Sequence, residues 1–276
     1  MKLSLITINF NNKDGLKKSI DSVVAQTFKD FEWIVIDGGS TDGSRELLEQ
    51  YADHFAYWAS EPDHGIYNAM NKGIDHAHGE YLQFLNSGDW LNVPTTLQEL
   101  FATPLDGDIV YGDQDYYEGN RLVESRKHPD ALSLKYLYEW SLGHSSSFIK
   151  RELLAEAHYN ENYRIVSDWE FFLKKALENK TFVHRPITVG CFDMSGISSA
   201  NQELLHKERE DVADKLLPLC VRNDFAEMDK MDAQLQKYGV QMDTQLQEVC
   251  SYRSKKRSYR KLLNLYLRVV KLLDRF

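Results

Sequence analysis

Two patterns of apolar and polar positions alternate over residues 3–90. Runs of mostly apolar and β-branched residues at 3–10 (LSLITINF) and 32–37 (EWIVID) predict strands that are buried on both faces. Between these runs, four apolar residues recur at helical spacing: Leu16, Ile20, Val23 and Val24. Asp14 stands where it could cap that helix. The chain therefore opens as a strand, a helix and a second strand.

The alternation continues beyond the second strand. Helices are predicted over 46–51 and 66–77, and strands over 55–60 and 80–86. Strands that alternate with helices indicate βαβ units on a parallel sheet. Ligands of such sheets bind beyond the carboxyl ends of the strands. The polar residues that follow each strand are therefore the candidate site residues.

From residue 108 onward the pattern is looser. Strands are predicted over 108–117, 121–127, 146–150 and 181–192. Helices are predicted over 133–140 and 167–178. We interpret this half as a mixed extension of the same sheet that forms the second wall of a cleft. After Ser199 the pattern is mainly helical, so we expect one α/β domain over 1–200 and a helical extension over 201–276.

Charge and cysteine content add limits on partners and compartment. The net charge is −9, and because residues 253–276 carry +8, the remainder carries −17. An acidic body argues against nucleic acid as a partner. The sequence contains no stretch of 18 uninterrupted apolar residues, so it predicts no membrane-spanning helix. The three cysteines are odd in number and far apart, which favours a reducing compartment, and we expect the cytoplasm.

The C-terminal segment needs a separate explanation. Its polar and basic residues step by three or four along a helix: Arg257, Lys261, Asn264, Arg268, Lys271 and Arg275. Apolar residues fill the opposite side. Such a helix can lie on the anionic inner face of the cytoplasmic membrane. A helix that packs against its own domain, or against a second copy in a homo-oligomer, has the same pattern, and both interpretations stay open.

Five segments in this order resemble the family 2 glycosyltransferases, which have the GT-A fold. They are LSLITINFNN, IDGGSTDGS, DHGIYNAMNKG, FLNSGD and SDWEFFLK. The similarity is to bacterial enzymes of polysaccharide and cell-surface glycan assembly, and it covers about residues 3–200. It implies a Rossmann-like mixed sheet flanked by helices. It also implies an inverting transfer from a nucleotide sugar, typically UDP-linked, to a glycan or lipid-linked acceptor.

The resemblance assigns nucleotide contacts to the first two strand ends. Asn11 matches the last position of the family's Pro-Thr-Tyr-Asn pattern, and together with Asn9 it would border the base and ribose. Capping of the next helix is the alternative role for both. Asp37 would accept a hydrogen bond from the base, typically the ring N–H of uracil. Gly38 stands where the family has a second aspartate.

Three further donor contacts follow from residues 63–71. Asp63, Gly65 and Asn71 are in register with the family's Asn-x-Gly-x-x-x-Ala-x-Asn pattern. Gly65 would let the backbone approach the donor. The helix that starts there would direct N–H groups at phosphate.

The segment NSGD stands where the family carries its Asp-x-Asp metal motif. Asn86 and Gly88 occupy the two usual carboxylate positions, and Asp89 is the acid that remains. Mg²⁺ and Mn²⁺ take oxygen ligands and often use one or two carboxylates together with substrate phosphates. The resemblance therefore implies a cation held by Asp89 and the donor diphosphate, with Asn86 beside it.

The acceptor side is assigned to two residues of the second half. Asp168 matches the second acid of the family's Glu-Asp motif, with Ser167 in place of the Glu, and would act as the general base. Capping of the following helix is its alternative role. His144 resembles a histidine that contacts the diphosphate or the acceptor. A structural histidine is the alternative.

Two other functions compete with this prediction. A nicotinamide-dependent oxidoreductase needs a Gly-x-Gly-x-x-Gly turn after the first strand, and NFNNKDG stands there instead. A non-catalytic relative that binds a sugar nucleotide, or is a scaffold for an assembly, is compatible with the altered metal segment. Nucleotide binding without turnover would identify that relative.

Overall fold

A computed structural model of the chain describes residues 1–194 and 201–237. Within these residues, the strands of one mixed sheet are β1 (Leu3–Asn9), β2 (Phe31–Asp37), β3 (Tyr57–Ser60), β4 (Tyr81–Phe84), β5 (Trp90–Leu91), β6 (Ile109–Glu118), β7 (Arg121–Arg126), β8 (Ser147–Lys150) and β9 (Phe182–Asp193). Their order is β3-β2-β1-β4-β8-β6-β9-β5, and β7 pairs with β6.

The helices of the described residues lie between and after these strands in the sequence. They are α1 (Lys13–Val24), α2 (Ser44–Gln50), α3 (Ile66–Asp75), α4 (Thr96–Leu100), α5 (Leu134–Glu139), α6 (Arg151–Ala155), α7 (Ser167–Leu177), α8 (Gln202–Leu216) and α9 (Leu219–Lys237). Short 3₁₀ turns lie at Ala52–His54 and His144–Ser146.

Strand directions divide the sheet into two parts. The strands β3, β2, β1 and β4 are parallel, whereas β8 runs antiparallel to both β4 and β6. The long strands β6 and β9 are parallel to each other, and β5 pairs antiparallel with β9. This arrangement confirms the predicted α/β class with a mixed second half.

Hydrophobic side chains cover both faces of the sheet. Along β1, Leu3 and Leu5 pack in one layer with residues of α1, whereas Ile6 and Ile8 pack in the other with residues of α3. Successive side chains of a strand point to opposite faces. The first strand is therefore apolar at nearly every position because both of its faces are buried, as the sequence predicts.

Two local features differ from the sequence prediction. The cap of α1 is Asn12, whose Oδ1 accepts a hydrogen bond from the Gly15 N–H at 3.2 Å. Asp14 lies inside the first turn, so its prediction as the cap is wrong. The elements β5, α4 and α6 were not predicted, because runs of two to five residues are too short to show a period.

Contacts within the chain divide it into a unit over Met1–Leu216 and a unit over Leu217–Phe276. The first unit contains the whole sheet and α8. The domain boundary between 200 and 201 stays a prediction. The basic segment 253–276 lies outside the described residues. Among residues 1–194 and 201–237, no helix is both long and apolar enough to cross a membrane.

Candidate active site

The carboxyl ends of β1 and β2 bring the first predicted site residues together. The two strands are parallel, and their register pairs Asn9 with Asp37. Asn9 Nδ2 donates to Asp37 Oδ1 at 2.7 Å. The polar residues that follow the two strands therefore form one connected group.

Asp37 is fully buried, and both of its oxygens are used within the protein. Oδ1 accepts hydrogen bonds from Asn9 Nδ2 and from Ser40 Oγ, the latter at 2.5 Å. Oδ2 accepts from the Ser40 N–H at 2.9 Å and from Ser60 Oγ at 2.7 Å. A carboxylate has about four lone-pair positions, and four donors occupy them. In this arrangement Asp37 fixes the turn that follows β2, and a base would have to displace one of its partners.

Asn11 joins the turns after β1 and β2. Its backbone is in the left-handed region, with φ +47°, which asparagine tolerates better than most residues. Its N–H donates to Ser40 Oγ at 2.7 Å, and its Oδ1 accepts from the Thr41 N–H at 2.8 Å. Because Asn12 caps α1, neither Asn9 nor Asn11 has the alternative capping role.

An exposed aromatic ring lies beside this group. Phe10 is 64% exposed although it directly follows a buried strand. A Cβ added to Gly38 would lie 3.1 Å from the Phe10 ring and 2.5 Å from Asp63 Oδ2. The absence of a side chain at Gly38 therefore lets the Asp63 carboxylate approach the turn. The sequence signal for Phe10 was its place between Asn9 and Asn11, at the position of the family's tyrosine.

The start of α3 is open to solvent, whereas its middle is packed. Gly65 has φ +120°, its N–H donates to Asp63 Oδ1 at 2.9 Å, and no atom lies within 4 Å of an added Cβ. Asn71 is buried. Its Nδ2 donates to the Tyr159 carbonyl and to Glu161 Oε1, and its Oδ1 accepts from the Tyr159 N–H. In this structure Asn71 hydrogen-bonds to the loop before α7 and is part of the packing that supports the site.

The corner that follows β4 places Asp89 in a buried position. Gly88 has φ +107°, which turns the chain sharply. Asp89 is 5% exposed, and its Oδ1 accepts the Asp193 N–H at 3.1 Å. Burial raises the pKa of Asp89 to about 8; the Asp193 N–H and the Lys18 charge oppose the rise, and the Asp193 charge adds to it. The carboxylate form is thus costly without a cation.

The donor set of this corner fits a hard divalent cation. Asn86 Oδ1 is buried without a hydrogen-bond partner, and a Cβ on Gly88 would lie 3.9 Å from Asp193 Oδ2. Oxygen atoms of Asp89, Asn86 and Asp193 are the ligand type that Mg²⁺ and Mn²⁺ prefer. Within the described residues, no group of three or more His, Cys, Asp or Glu could hold an ion by itself. Phosphate oxygens would have to complete the coordination.

Asp168 lies in the first turn of α7, next to two neutral side chains. Tyr67 O–H donates to Asp168 Oδ1 at 2.7 Å, and His144 Nε2 lies 3.5 Å from Oδ2. Burial, followed by the Asp168 charge, raises the pKa of Tyr67 well above its usual value, so Tyr67 stays a donor. The helix cap is Val166, without a side-chain cap bond, so capping is not the role of Asp168 here.

His144 is buried against the rings of Phe84 and Tyr159. Burial lowers its pKa, and the Asp168 charge opposes that shift. The 3.5 Å separation from Asp168 is long for a hydrogen bond, and Nε2 has no other partner. His144 therefore places a neutral, buried and unsatisfied nitrogen beside Asp168.

The predicted residues thus form three groups: Asn9, Asn11, Asp37, Asp63 and Gly65 around the β1 and β2 ends; Asn86 and Asp89 in the corner; and His144 and Asp168 at α7. Asn71 belongs to the packing behind them. Sequence reasoning missed Phe10, Tyr67 and Asp193. Tyr67 lies inside a recognised motif, but its contact with Asp168 crosses a long stretch of chain that no local pattern reveals.

Comparison with known proteins adds independent information about this fold. The family model described as Glycosyl transferase family 2 matches residues 4–192. An uncharacterized glycosyltransferase of Mycobacterium tuberculosis is 37% identical over 207 residues, which cover 71% of this chain and 77% of that protein. A PGL/p-HBAD biosynthesis glycosyltransferase of Mycobacterium bovis is 29% identical over 212 residues, which cover 74% and 81% of the two chains.

Solved structures share the fold at lower identity. S. aureus TarS 1–349 in complex with UDP superposes with a TM-score of 0.58 at 20% identity over 70% of this chain, and the match spans 60% of that chain. The mannosyltransferase PcManGT from Pyrobaculum calidifontis, in complex with GDP-Man and Mn²⁺, superposes with a TM-score of 0.54 at 19% identity, covering 69% of this chain and 56% of that one. Both similarities identify the same sheet and helix arrangement.

Proposed function

The chain belongs to glycosyl transferase family 2, and from that premise we propose that it moves a sugar from a UDP-linked donor to a hydroxyl group of a glycan or lipid-linked acceptor, with inversion at the anomeric carbon. The observation that carries the proposal is the setting of Asp168, a partly buried carboxylate held by one neutral donor and bordered by one neutral histidine. TarS, whose solved complex holds UDP, supports the choice of nucleotide.

Asp168 acts as the general base in this proposal. Tyr67 fixes one carboxylate oxygen through its O–H, and neither Tyr67 nor His144 neutralises the carboxylate charge. The acceptor oxygen forms its bond to the anomeric carbon while the bond to the diphosphate oxygen breaks on the opposite face. The acceptor proton passes to Asp168, and the electron pair leaves with the diphosphate. Displacement from the opposite face gives inversion.

The corner after β4 binds the diphosphate. Asp89, Asn86 and Asp193 would hold Mg²⁺ or Mn²⁺ together with phosphate oxygens, and the bound ion would neutralise charge on the departing diphosphate. The similarity to PcManGT, whose solved complex contains Mn²⁺, supports a divalent ion.

The base and ribose bind over Phe10. The exposed ring offers a stacking surface, and Asp63, like Phe10, lies beside Gly38 and is only partly buried. Asp37 supports this surface through Ser40 instead of contacting the base directly. Gly65 at the start of α3 leaves room for the donor.

Calorimetry with UDP and GDP, each with and without Mn²⁺, tests the proposed donor. We expect UDP to bind in the micromolar range with Mn²⁺ and at least tenfold more weakly in EDTA, because without a cation nothing neutralises the charge of the diphosphate in this corner. A donor-hydrolysis assay with UDP-linked sugars then follows turnover. Tighter binding of GDP would reject the UDP assignment. Binding of UDP without hydrolysis or transfer to any acceptor would favour the non-catalytic relative.

Gly38→Ala tests the assignment of Asp63. The new methyl group would meet Asp63 Oδ2 at 2.5 Å and the Phe10 ring at 3.1 Å. Because Asp63 Oδ2 ends a rotatable side chain and Phe10 is exposed, both move at little cost in folding free energy. We expect UDP affinity to fall about tenfold, the cost of one hydrogen bond to a charged group, with an unchanged melting temperature. Asp63→Asn leaves Phe10 in place, so an equal loss of affinity in that variant assigns the effect to Asp63. Gly119→Ala, in the turn between β6 and β7, is the control for nucleotide affinity, which should stay unchanged. Because Gly119 has φ +61°, the melting temperature of this variant is expected to fall, and only its affinity is compared. Equal affinity of Gly38→Ala and wild type would remove Asp63 from the base site.

A further inference from the structure

A stacked group of three side chains lies outside the residues assigned so far. The Arg126 guanidinium carbon is 4.4 Å from the centroid of the Tyr116 ring and 5.0 Å from that of Trp140. Arg126 also donates to Tyr116 Oη at 2.9 Å and, through Nε and Nη2, to both carboxylate oxygens of Glu124 at 2.8 and 3.0 Å. Trp140 thus ends a rigid stack, and it is 48% exposed.

The stack is connected to both catalytic parts of the site. Burial raises the pKa of the Tyr116 hydroxyl; the Arg126 charge opposes this shift, and the Glu124 charge adds to it. The Asp89 charge raises this pKa further, so Asp89 lies near Tyr116. At the other end, Trp140 directly follows α5, whose last carbonyls, those of Tyr138 and Glu139, accept hydrogen bonds from one side chain of α8.

That α8 side chain is Arg209, whose guanidinium carbon lies 4.5 Å from the centroid of the Trp169 ring. Trp169 directly follows Asp168 in the sequence. Trp140 also precedes His144 by four residues, a span of at most about 14 Å. Because His144 lies 3.5 Å from Asp168, a sugar of an extended acceptor bound on Trp140 is within about one or two sugar units of Asp168.

We propose that the exposed face of Trp140, backed by Arg126 and Tyr116, is the subsite that binds a neutral pyranose of the acceptor. The inference rests on the proposed function. The face of a pyranose carries polarised C–H groups, which favour the negative face of an indole ring. Glu124 neutralises Arg126, so the platform carries little net charge and does not select an anionic sugar.

Indole ¹⁵N NMR of the full chain tests this subsite without requiring turnover. The chain has 5 tryptophans, and Trp140→Phe assigns the signal of Trp140. Maltotriose, cellotriose and triacetylchitotriose are titrated with and without UDP and Mn²⁺, with trigalacturonate as the anionic comparator. We expect at least one neutral trisaccharide to shift the Trp140 signal at millimolar concentration, and trigalacturonate to bind no more tightly; tighter binding of trigalacturonate would contradict a neutral subsite.

Paired variants separate the subsite from the donor site. We expect Trp140→Ala to weaken trisaccharide binding about tenfold and to leave UDP affinity unchanged. Trp140→Phe should weaken trisaccharide binding less. Phe10→Ala should weaken UDP binding and leave trisaccharide affinity unchanged. Leu122→Ala, at another exposed apolar side chain of the same wall, should change neither. The inference is overturned if no trisaccharide shifts the Trp140 signal, or if Trp140→Ala binds like wild type. Failure of UDP to bind would instead contradict the proposed function.

Discussion

Asp168→Asn will reduce sugar transfer by about 10²–10⁴-fold, the usual contribution of a general base, while UDP affinity stays within a factor of two. The amide has the same shape and can still accept the Tyr67 O–H bond, so the start of α7 keeps its structure. Because the amide is uncharged and weakly basic, it cannot accept the proton of the acceptor hydroxyl. The measurement is the single-turnover rate at saturating donor and acceptor, with calorimetry of UDP alongside.

Two variants give this prediction its controls. Glu178→Gln makes the same change of carboxylate to amide at the far end of α7 and should retain wild-type turnover. Tyr67→Phe removes the hydroxyl that orients Asp168 and should lower the rate less than Asp168→Asn does. Wild-type turnover in Asp168→Asn would refute the assignment of the base.

Asp89→Asn will stabilise the metal-free protein at neutral pH and abolish cation-dependent nucleotide binding. The folded-state pKa of about 8 lies above the ordinary value of 3.8, so the folded protein binds more protons than the unfolded chain between these values. The contribution of Asp89 to stability is therefore most favourable below about pH 4 and is lost as the pH rises towards 8. One pKa unit corresponds to about 1.4 kcal/mol, which sets an upper limit of about 6 kcal/mol. We expect a gain of about 2 kcal/mol at pH 7, because relaxation and water relieve part of the penalty.

Urea unfolding in EDTA from pH 5 to pH 8 measures this effect. The asparagine keeps an acceptor for the Asp193 N–H, so packing is preserved and only the titration is removed. Asp53→Asn, on an exposed 3₁₀ turn, should unfold like wild type. If the unfolding free energies of Asp89→Asn and wild type depend on pH in the same way, the pKa of Asp89 is not raised in the folded protein. If the variant still binds UDP more tightly with Mn²⁺, the cation is held elsewhere.

The sequence predicted the parallel half of the sheet because its information is local. Each strand and helix between β1 and β4 has its own apolar period, and each polar cluster directly follows a strand. The contacts of Asp37 could not be predicted from the local sequence. Its motif suggested a direct contact with the base, whereas its burial and its four donors depend on Ser40 and Ser60, which only the folded turns bring together.

The corner after β4 shows the same division between local and distant information. The sequence located Asp89 and the loss of two neighbouring acids, but it could not identify Asp193, which arrives from the end of β9. Likewise, Trp140 has no motif. Its place in a stack depends on Arg126 from β7 and Tyr116 from β6, two strands whose pairing includes a register shift.

The pairing of β6 with β9 also sets an order for biosynthesis. The register joins Ile109 to Phe182 and Tyr117 to Asp193, so the two strands meet only across a long intervening segment. Closing such a loop costs entropy that local βα units do not incur. During synthesis, the strands β1 to β4 can form their contacts early, whereas the wall that includes Asp193 must wait until β9 has been synthesised. The nascent chain would therefore have the residues proposed to hold a donor nucleotide before it has all of those proposed to hold the cation.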